Sequence, residues 1–104
     1  MTRCEFFTEN DRITGFSISG HSGYAEAGQD IVCAAVSAMA MLTINTISDS
    51  FGLETEVTAD ENGPVIDFKL KTENRYASAL ISGLANELSA LENDYPNYVR
   101  VIIN

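Results

Sequence analysis

Apolar and polar side chains alternate along the first part of the chain, which is the pattern of half-buried β-strands. Residues 4–8 read as one strand, residues 9–11 as a turn, and Arg12 as the start of a second strand. In the second strand the alternation places three residues on one face, namely Phe16, Ile18 and Gly20. Because Ile13 falls on the opposite face, a bulge is expected at Gly15.

Two later stretches carry the helical period. Residues 31–50 contain no Gly or Pro and are apolar nearly all round, which is typical of a helix buried against more than one neighbour. Asp30 suits its N-cap, because a carboxylate there accepts amides of the first turn, and Gly52 is the predicted stop. The second helix is predicted over residues 73–92 from a single apolar stripe, formed by Ala77, Leu80, Ile81, Leu84, Leu88 and Leu91.

The remaining elements are predicted to be strands. Residues 53–59 alternate, residues 60–63 read as a hairpin turn, residues 64–71 as the return strand, and residues 98–103 as a last strand. The order ββαββαβ indicates an α+β fold, a mainly antiparallel sheet with two helices packed on one face, in one domain over residues 1–104. The excess apolar surface of the first helix favours a homodimer.

The net charge of the chain limits the classes of partner that it is expected to bind. Lys and Arg number 6 and Asp and Glu 15, which gives a formal charge of −9. Such a chain is a poor candidate for binding nucleic acid or an anionic membrane surface, and a basic protein or peptide is the better-matched partner. No run approaches the roughly 18–20 apolar residues of a membrane span, and acidic residues interrupt any N-terminal signal pattern. The protein is therefore expected in the cytoplasm, with Cys4 and Cys33 as free thiols.

The strongest candidate chemistry is a histidine and a cysteine. His21, the only histidine, follows the second strand, and Cys33 lies twelve residues later in the first turn of the predicted helix. The free amides and dipole of that turn favour a thiolate and could also hold a developing oxyanion. His21 would accept the thiol proton and later protonate the leaving amine. This pattern indicates nucleophilic catalysis by a cysteine.

Plainer interpretations exist for each residue. A lone histidine at a strand end is most often solvated, and a lone cysteine in a buried helix is most often a small core residue. Asp30 is more simply a helix cap than a third catalytic group, and orienting His21 is the alternative role. Ser37, one turn after Cys33, either serves the site or hydrogen-bonds back to its own helix.

The segment between His21 and Cys33 is predicted to be a mobile lid. Residues 22–29 begin with Ser22 and contain Gly23 and Gly28, and small residues of this kind permit movement. Tyr24 and Glu26 are its large side chains and are expected to contact substrate. No zinc spacing, phosphate loop or dinucleotide motif accompanies it, so neither a metal nor a cofactor is expected.

These residues form a specific motif. Gly-His-Ser-Gly-Tyr-Ala at residues 20–25, followed by Gly-x-Asp-Ile-Val-Cys-Ala-Ala-Val-Ser at residues 28–37, resembles the ribosomal-processing cysteine protease family, Prp. The resemblance covers the whole chain and implies a Cys33–His21 catalytic pair. Gly20, Asp30 and Ser37 match motif positions around the active site, and Ser22, Gly23 and Tyr24 belong to the loop expected to meet substrate.

The family resemblance also implies partners. It predicts a homodimer whose substrate is a ribosomal protein precursor with an N-terminal extension, from the large subunit. An acidic enzyme suits such a basic substrate, and a groove for an extended peptide with apolar side chains is expected. Two alternatives remain open: a non-catalytic acidic binding module for a basic ribosomal protein, and a thiol redox sensor using Cys33 and Cys4.

Overall fold

A computed structural model describes residues 1–26, 28–60 and 65–104. The elements follow in the order β1 (Thr2–Glu9), β2 (Arg12–Ser19), α1 (Ile31–Asn45), a π-helical segment (Thr46–Ser50), β3 (Thr55–Asp60), β4 (Val65–Leu70), α2 (Arg75–Asp94) and β5 (Val99–Ile103). The predicted ββαββαβ order is confirmed. Most of the predicted hairpin turn (residues 60–63) and the start of the predicted return strand fall on residues 61–64, which lie outside the described ranges.

The strands form a five-stranded sheet in the order β3-β4-β2-β1-β5. Strands β1 and β5 pair in parallel, whereas the β1–β2, β2–β4 and β3–β4 pairs are antiparallel. One face of the sheet and the inner sides of α1 and α2 contribute to a single buried cluster. Both helices therefore cover the same face, as the α+β prediction requires.

The hairpin of β1 and β2 contains the expected irregularity, displaced by one residue. Phe7 lies opposite Gly15 and Thr8 opposite Ile13, which leaves Thr14 as the extra residue of the bulge. Gly15 has a separate steric role, because a Cβ there would lie 2.5 Å from the carbonyl oxygen of Phe68. Strand β4 can therefore approach β2 closely only at a glycine.

Three phenylalanines from neighbouring strands form the centre of the core. The ring centroid of Phe16 lies 5.8 Å from that of Phe6 and 5.2 Å from that of Phe68. All three side chains are buried against the helices. Cys4, on the same face of β1, is fully buried, and burial, followed by the charge of Glu92, raises the pKa of its thiol to about 12. Cys4 is therefore an inert core residue.

Helix α1 differs from its expected environment. Its buried residues form one stripe, namely Val32, Val36, Ala40, Thr43 and Ile44. An opposite apolar stripe is exposed and comprises Ile31, Ala34, Ala38, Met41 and Leu42. The expectation of a helix buried nearly all round is wrong for the single chain, because the sheet and α2 together leave this stripe of α1 uncovered.

The segment Ile31–Ser50 bears on the membrane expectation. This segment is long and apolar enough to cross a membrane, judged by length and composition alone. The sequence-based expectation that no run approaches a membrane span is therefore wrong on that criterion. A helix that belongs to a protein core passes the same test. Here the buried stripe of α1 packs into the core, which accounts for the apolar residues of that stripe but not for those of the exposed one.

The edge strand β3 is left uncovered by both helices. Val57 and Ala59 point to the helix-bearing face, in register with the core residues Phe68 and Ile66 of β4, yet both are exposed. A strip of apolar sheet therefore lies open beside the start of α1. This strip forms the floor of the candidate site.

Candidate active site

His21, Cys33 and Ser37 line one cleft of about 360 Å³. The end of β2 places His21, and the first turns of α1 place Cys33 and Ser37. The floor is the open strip of sheet, with Ile18, Ala59 and Ile66 in one cross-strand row. In the described residues no hydrogen bond joins the His21 imidazole to the Cys33 sulfur. The structure thus brings the predicted pair to one cavity, without a hydrogen bond between the two side chains.

Gly20 makes the turn that leads into the site. Its φ of +85° lies in the left-handed region, and a Cβ there would lie 2.4 Å from the carbonyl oxygen of Met1. The Thr2 hydroxyl donates a hydrogen bond of 3.4 Å to the Gly20 carbonyl and also lines the cleft. Only glycine can therefore deliver His21 to the cleft along this backbone. Nothing in the sequence pattern pointed to Thr2, which reaches the site through the pairing of β1 with β2.

Asp30 is the N-cap of α1, as predicted. One carboxylate oxygen, Oδ1, accepts the amides of Val32 and Cys33 at 3.0 and 2.9 Å. The other, Oδ2, accepts the Ser22 hydroxyl and, at 3.5 Å, the amide of Ala25. Asp30 therefore connects the loop to the helix that carries the cysteine. No described hydrogen bond links Asp30 to His21, so its orienting role stays a prediction.

The hydrogen bonds to Asp30 hold the carboxylate in its charged form. They lower its pKa from an ordinary 3.8 to about 2, with the Ser22 hydroxyl as the largest cause; the Cys33 and Ala25 amides and the Cys33 thiol add to the effect. Desolvation acts in the opposite direction and is outweighed. The cap therefore stays ionised over the ordinary pH range.

The hydrogen bonds to Asp30 correct the expectation that the first-turn amides of α1 hold the oxyanion. The Val32 and Cys33 amides, expected to be available to an oxyanion, already donate to Asp30, and the Ala34 amide donates to the Asp30 carbonyl at 3.0 Å. A different backbone donor reaches the nucleophile instead. The amide of Ser22 donates to the Cys33 sulfur, with an N–Sγ distance of 3.3 Å.

The loop residues fall into different environments. Ser22 was expected to face substrate, but its side chain is only 2% exposed and is bonded to Asp30. Gly23 is exposed, with a φ of +76° that suits glycine. The Tyr24 ring packs edge-on against Tyr95 and Tyr98, with centroids 5.5 and 5.4 Å away. Tyr24 therefore anchors the loop to the segment before β5, a contact that no local sequence signal predicts.

The residue ranges that the structure describes do not support a role for Ser37, a metal site or a redox pair. The Ser37 hydroxyl makes no hydrogen bond there, neither across the cleft nor back to its helix, so its role stays a prediction. Within the same ranges no three His, Cys, Asp or Glu side chains gather as metal ligands. A larger cavity, about 470 Å³, lies against the other sheet face near Phe7 and Lys69, away from both His21 and Cys33. Cys4 and Cys33 are both free thiols, and the burial of Cys4 opposes a redox pair.

The ionised cap predicts a specific acid response. Because the folded pKa of Asp30 is depressed to about 2, its contribution to stability is complete above the unfolded value, about 4, and is lost as pH falls from there toward 2. Asp30→Asn, which retains a capping side chain, should reduce the slope of unfolding free energy against pH in that window. Urea unfolding at several pH values measures it. Asp67→Asn, at an exposed sheet position, is the matched control. Identical slopes for Asp30→Asn and the wild type would refute the assignment.

Comparison with known proteins places this chain in a family. The sequence profile described as "Cysteine protease Prp" matches residues 1–100. A curated relative from Bacillus subtilis (strain 168), named ribosomal processing cysteine protease Prp, is 35% identical over 97 residues, covering 88% of this chain and 87% of the relative. A relative of the same name from Staphylococcus aureus is 28% identical over 97 residues, covering 90% of this chain and 92% of that protein.

Solved structures share the fold. The crystal structure of an essential ribosomal processing protease Prp from S. aureus, in complex with a covalently linked product peptide, superposes with a TM-score of 0.92 at 24% identity. The match covers 100% of both chains. The S. aureus protease in complex with a substrate peptide matches with a TM-score of 0.87 at 22% identity, again over 100% of both chains. At sequence identities of 24% and 22%, these two superpositions establish a shared fold and no more.

Proposed function

Because this chain belongs to the Prp family of cysteine proteases, we propose that its peptidase activity resides on Cys33 and His21. We propose further that it removes the N-terminal extension of a large-subunit ribosomal protein. The observation that carries the catalytic assignment is the shared cleft, which the only histidine and the only partly exposed cysteine of the chain both line. The other cysteine, Cys4, is sealed in the core.

The proposed reaction uses these two side chains in sequence. The Cys33 thiol transfers its proton to His21, and the thiolate attacks the scissile carbonyl carbon. The carbonyl π electrons move onto oxygen, and a C–S bond forms. When the intermediate collapses, the C–N bond breaks and His21 protonates the leaving amine. Water then hydrolyses the thioester, with His21 accepting its proton and returning it to the sulfur.

The cleft and the charge of the chain support a basic protein with an apolar segment as substrate. Ile18, Ala59 and Ile66 present an apolar floor beside Cys33, which suits apolar side chains of an extended peptide. The formal charge of −9 would attract a basic ribosomal protein and speed the encounter at low salt. The relatives carry the name ribosomal processing cysteine protease. We propose that this processing takes place in the cytoplasm.

The function is tested by mixing the full chain with a ribosomal protein precursor that bears an N-terminal extension. We expect a shortened protein with one new N-terminus, detected by intact mass and N-terminal sequencing. The same ribosomal protein without the extension is the control and should stay intact. A stable complex without any product would contradict the peptidase proposal and favour the acidic binding module.

We also propose a homodimer formed through the exposed stripe of α1. Leu42 is 69% exposed and Ile31 56%, which is unusual for large apolar side chains on one helix face. Leu42→Glu should place a charge in the interface and raise the dissociation constant at least about 30-fold. Light scattering after gel filtration measures the mass. Tyr76→Glu, 60% exposed on α2, is the matched control and should leave the mass unchanged. A dimer that persists in Leu42→Glu would exclude this surface.

A further inference from the structure

The amide of Ser22 occupies an unusual place beside the nucleophile. Among the described residues it is the one backbone N–H that donates to the Cys33 sulfur, at 3.3 Å. The amides of Val32 and Cys33, which would ordinarily supply an oxyanion hole at this helix end, are taken by the Asp30 carboxylate. A catalytic cysteine at this position therefore needs its oxyanion donor from elsewhere.

We infer that the backbone N–H of Ser22 is an oxyanion-hole donor of this peptidase. The inference rests on the proposed function in one respect, namely that Cys33 is the nucleophile. When the sulfur attacks, the carbonyl carbon becomes bonded to Sγ, and the oxygen that gains the electron pair lies one bond farther on. An N–H already aimed at the sulfur can pass its hydrogen bond to that oxygen as the charge leaves the thiolate. The donor is thus in place before the reaction begins.

Several contacts around Ser22 fix the position of this donor, as an oxyanion hole requires. The hydroxyl of Ser22 donates to Asp30 and accepts the amide of Tyr24 at 3.2 Å. On the preceding side Gly20 turns the backbone, and on the following side the Tyr24 ring packs edge-on against Tyr95 and Tyr98. Asp30 and the Ser22 hydroxyl are therefore positioning groups for the Ser22 amide.

The decisive experiment replaces that N–H by an oxygen atom. Cys33 permits assembly of the full chain by native chemical ligation of residues 1–32 to residues 33–104, so the peptide bond between His21 and Ser22 can be made as an ester. The all-amide chain from the same ligation is the reference. An ester before Glu26, whose amide makes no hydrogen bond among the described residues, is the matched control. Thermal unfolding of all three checks the fold.

Two reagents separate the roles of the amide. Acylation of Cys33 by p-nitrophenyl acetate passes through a tetrahedral oxyanion, whereas alkylation by iodoacetamide does not. The rates of the Ser22 ester and the all-amide chain are compared at equal thiolate fraction, which the pH profiles supply. Under that condition the Ser22 ester should slow acylation about 10²–10³-fold. Alkylation should keep its rate. With the ribosomal precursor, the same ester should lower kcat with KM unchanged, because the interaction forms in the transition state.

The outcomes are distinguishable. Equal slowing of both reagents would show that the amide acts on the thiolate alone and would overturn the inference, as would an unchanged acylation rate. If the Ser22 ester slows acylation but not alkylation, and the all-amide chain nevertheless leaves the precursor uncleaved, the proposed substrate is refuted and the inference stands. Ser22→Ala keeps the amide and loses the hydroxyl, so its acylation should slow less than that of the ester. A greater loss in Ser22→Ala would overturn the assignment of the N–H.

Discussion

Cys33→Ala is expected to reduce kcat for precursor cleavage by about a millionfold, the loss seen when a peptidase loses its nucleophile. His21→Ala should lower kcat by about 10²–10⁴-fold, because the proton transfer to and from the thiol is lost. Because the two groups act as one unit, the double variant should be little worse than Cys33→Ala. Single-turnover cleavage, followed by mass spectrometry, measures all three.

Cys4→Ala provides the matched control for the nucleophile. It removes the other thiol of the chain, which lies fully buried in the sheet, and should leave the cleavage rate unchanged. Iodoacetamide should label Cys33 and spare Cys4 in the folded protein, because burial and a pKa near 12 suppress the Cys4 thiolate. Undiminished cleavage by either Cys33→Ala or His21→Ala would disprove the catalytic pair. Preferential labelling of Cys4 would contradict the described burial.

Phe16→Ala should cost about 3–5 kcal/mol of unfolding free energy, a large share of the 5–15 kcal/mol typical of a whole domain. Its ring lies between those of Phe6 and Phe68, so truncation removes buried contacts on two sides and leaves a cavity that strand backbones cannot close. Urea unfolding with an unchanged slope measures the loss.

Phe7→Ala is the control for Phe16→Ala, because it removes the same ring from the other face of the neighbouring strand. Phe7 is 41% exposed and should lose about 1 kcal/mol or less. Comparable losses for the two variants would mean that the uncovered sheet face contributes as much stability as the core. That result would contradict a fold with one helix-covered face.

Local sequence patterns predicted most of the elements because they depend on short-range physics. Alternation identified β1 and β2, the apolar stripe identified α2, and Asp30 was recognised as a cap because its carboxylate needs only amides two and three residues away. The bulge was displaced by one residue, from Gly15 to Thr14, since register depends on the partner strand. A glycine signals a close approach but does not specify which residue becomes the extra one.

The environment of α1 and of the loop could not be predicted in the same way. An apolar helix such as Ile31–Asn45 has the same composition whether its neighbours bury all of its sides or leave one apolar stripe exposed. Ser22 and Tyr24 are expected to meet substrate because they lie in the loop between His21 and Cys33, and Tyr24, still 42% exposed, keeps that expectation. Their actual partners, Asp30 for Ser22 and Tyr95 and Tyr98 for Tyr24, were brought near by folding.

By itself, the sequence determined the order of the elements, the acidic character, and the identity of His21 and Cys33 as the reactive candidates, since each depends on residue type and near neighbours. Tertiary structure alone decided that both side chains line one cleft and that Cys4 is sealed away. It also decided that Asp30 occupies the helix amides while Ser22 supplies the N–H to the sulfur. These outcomes depend on directions and distances between chain segments, which a pattern along the chain does not contain.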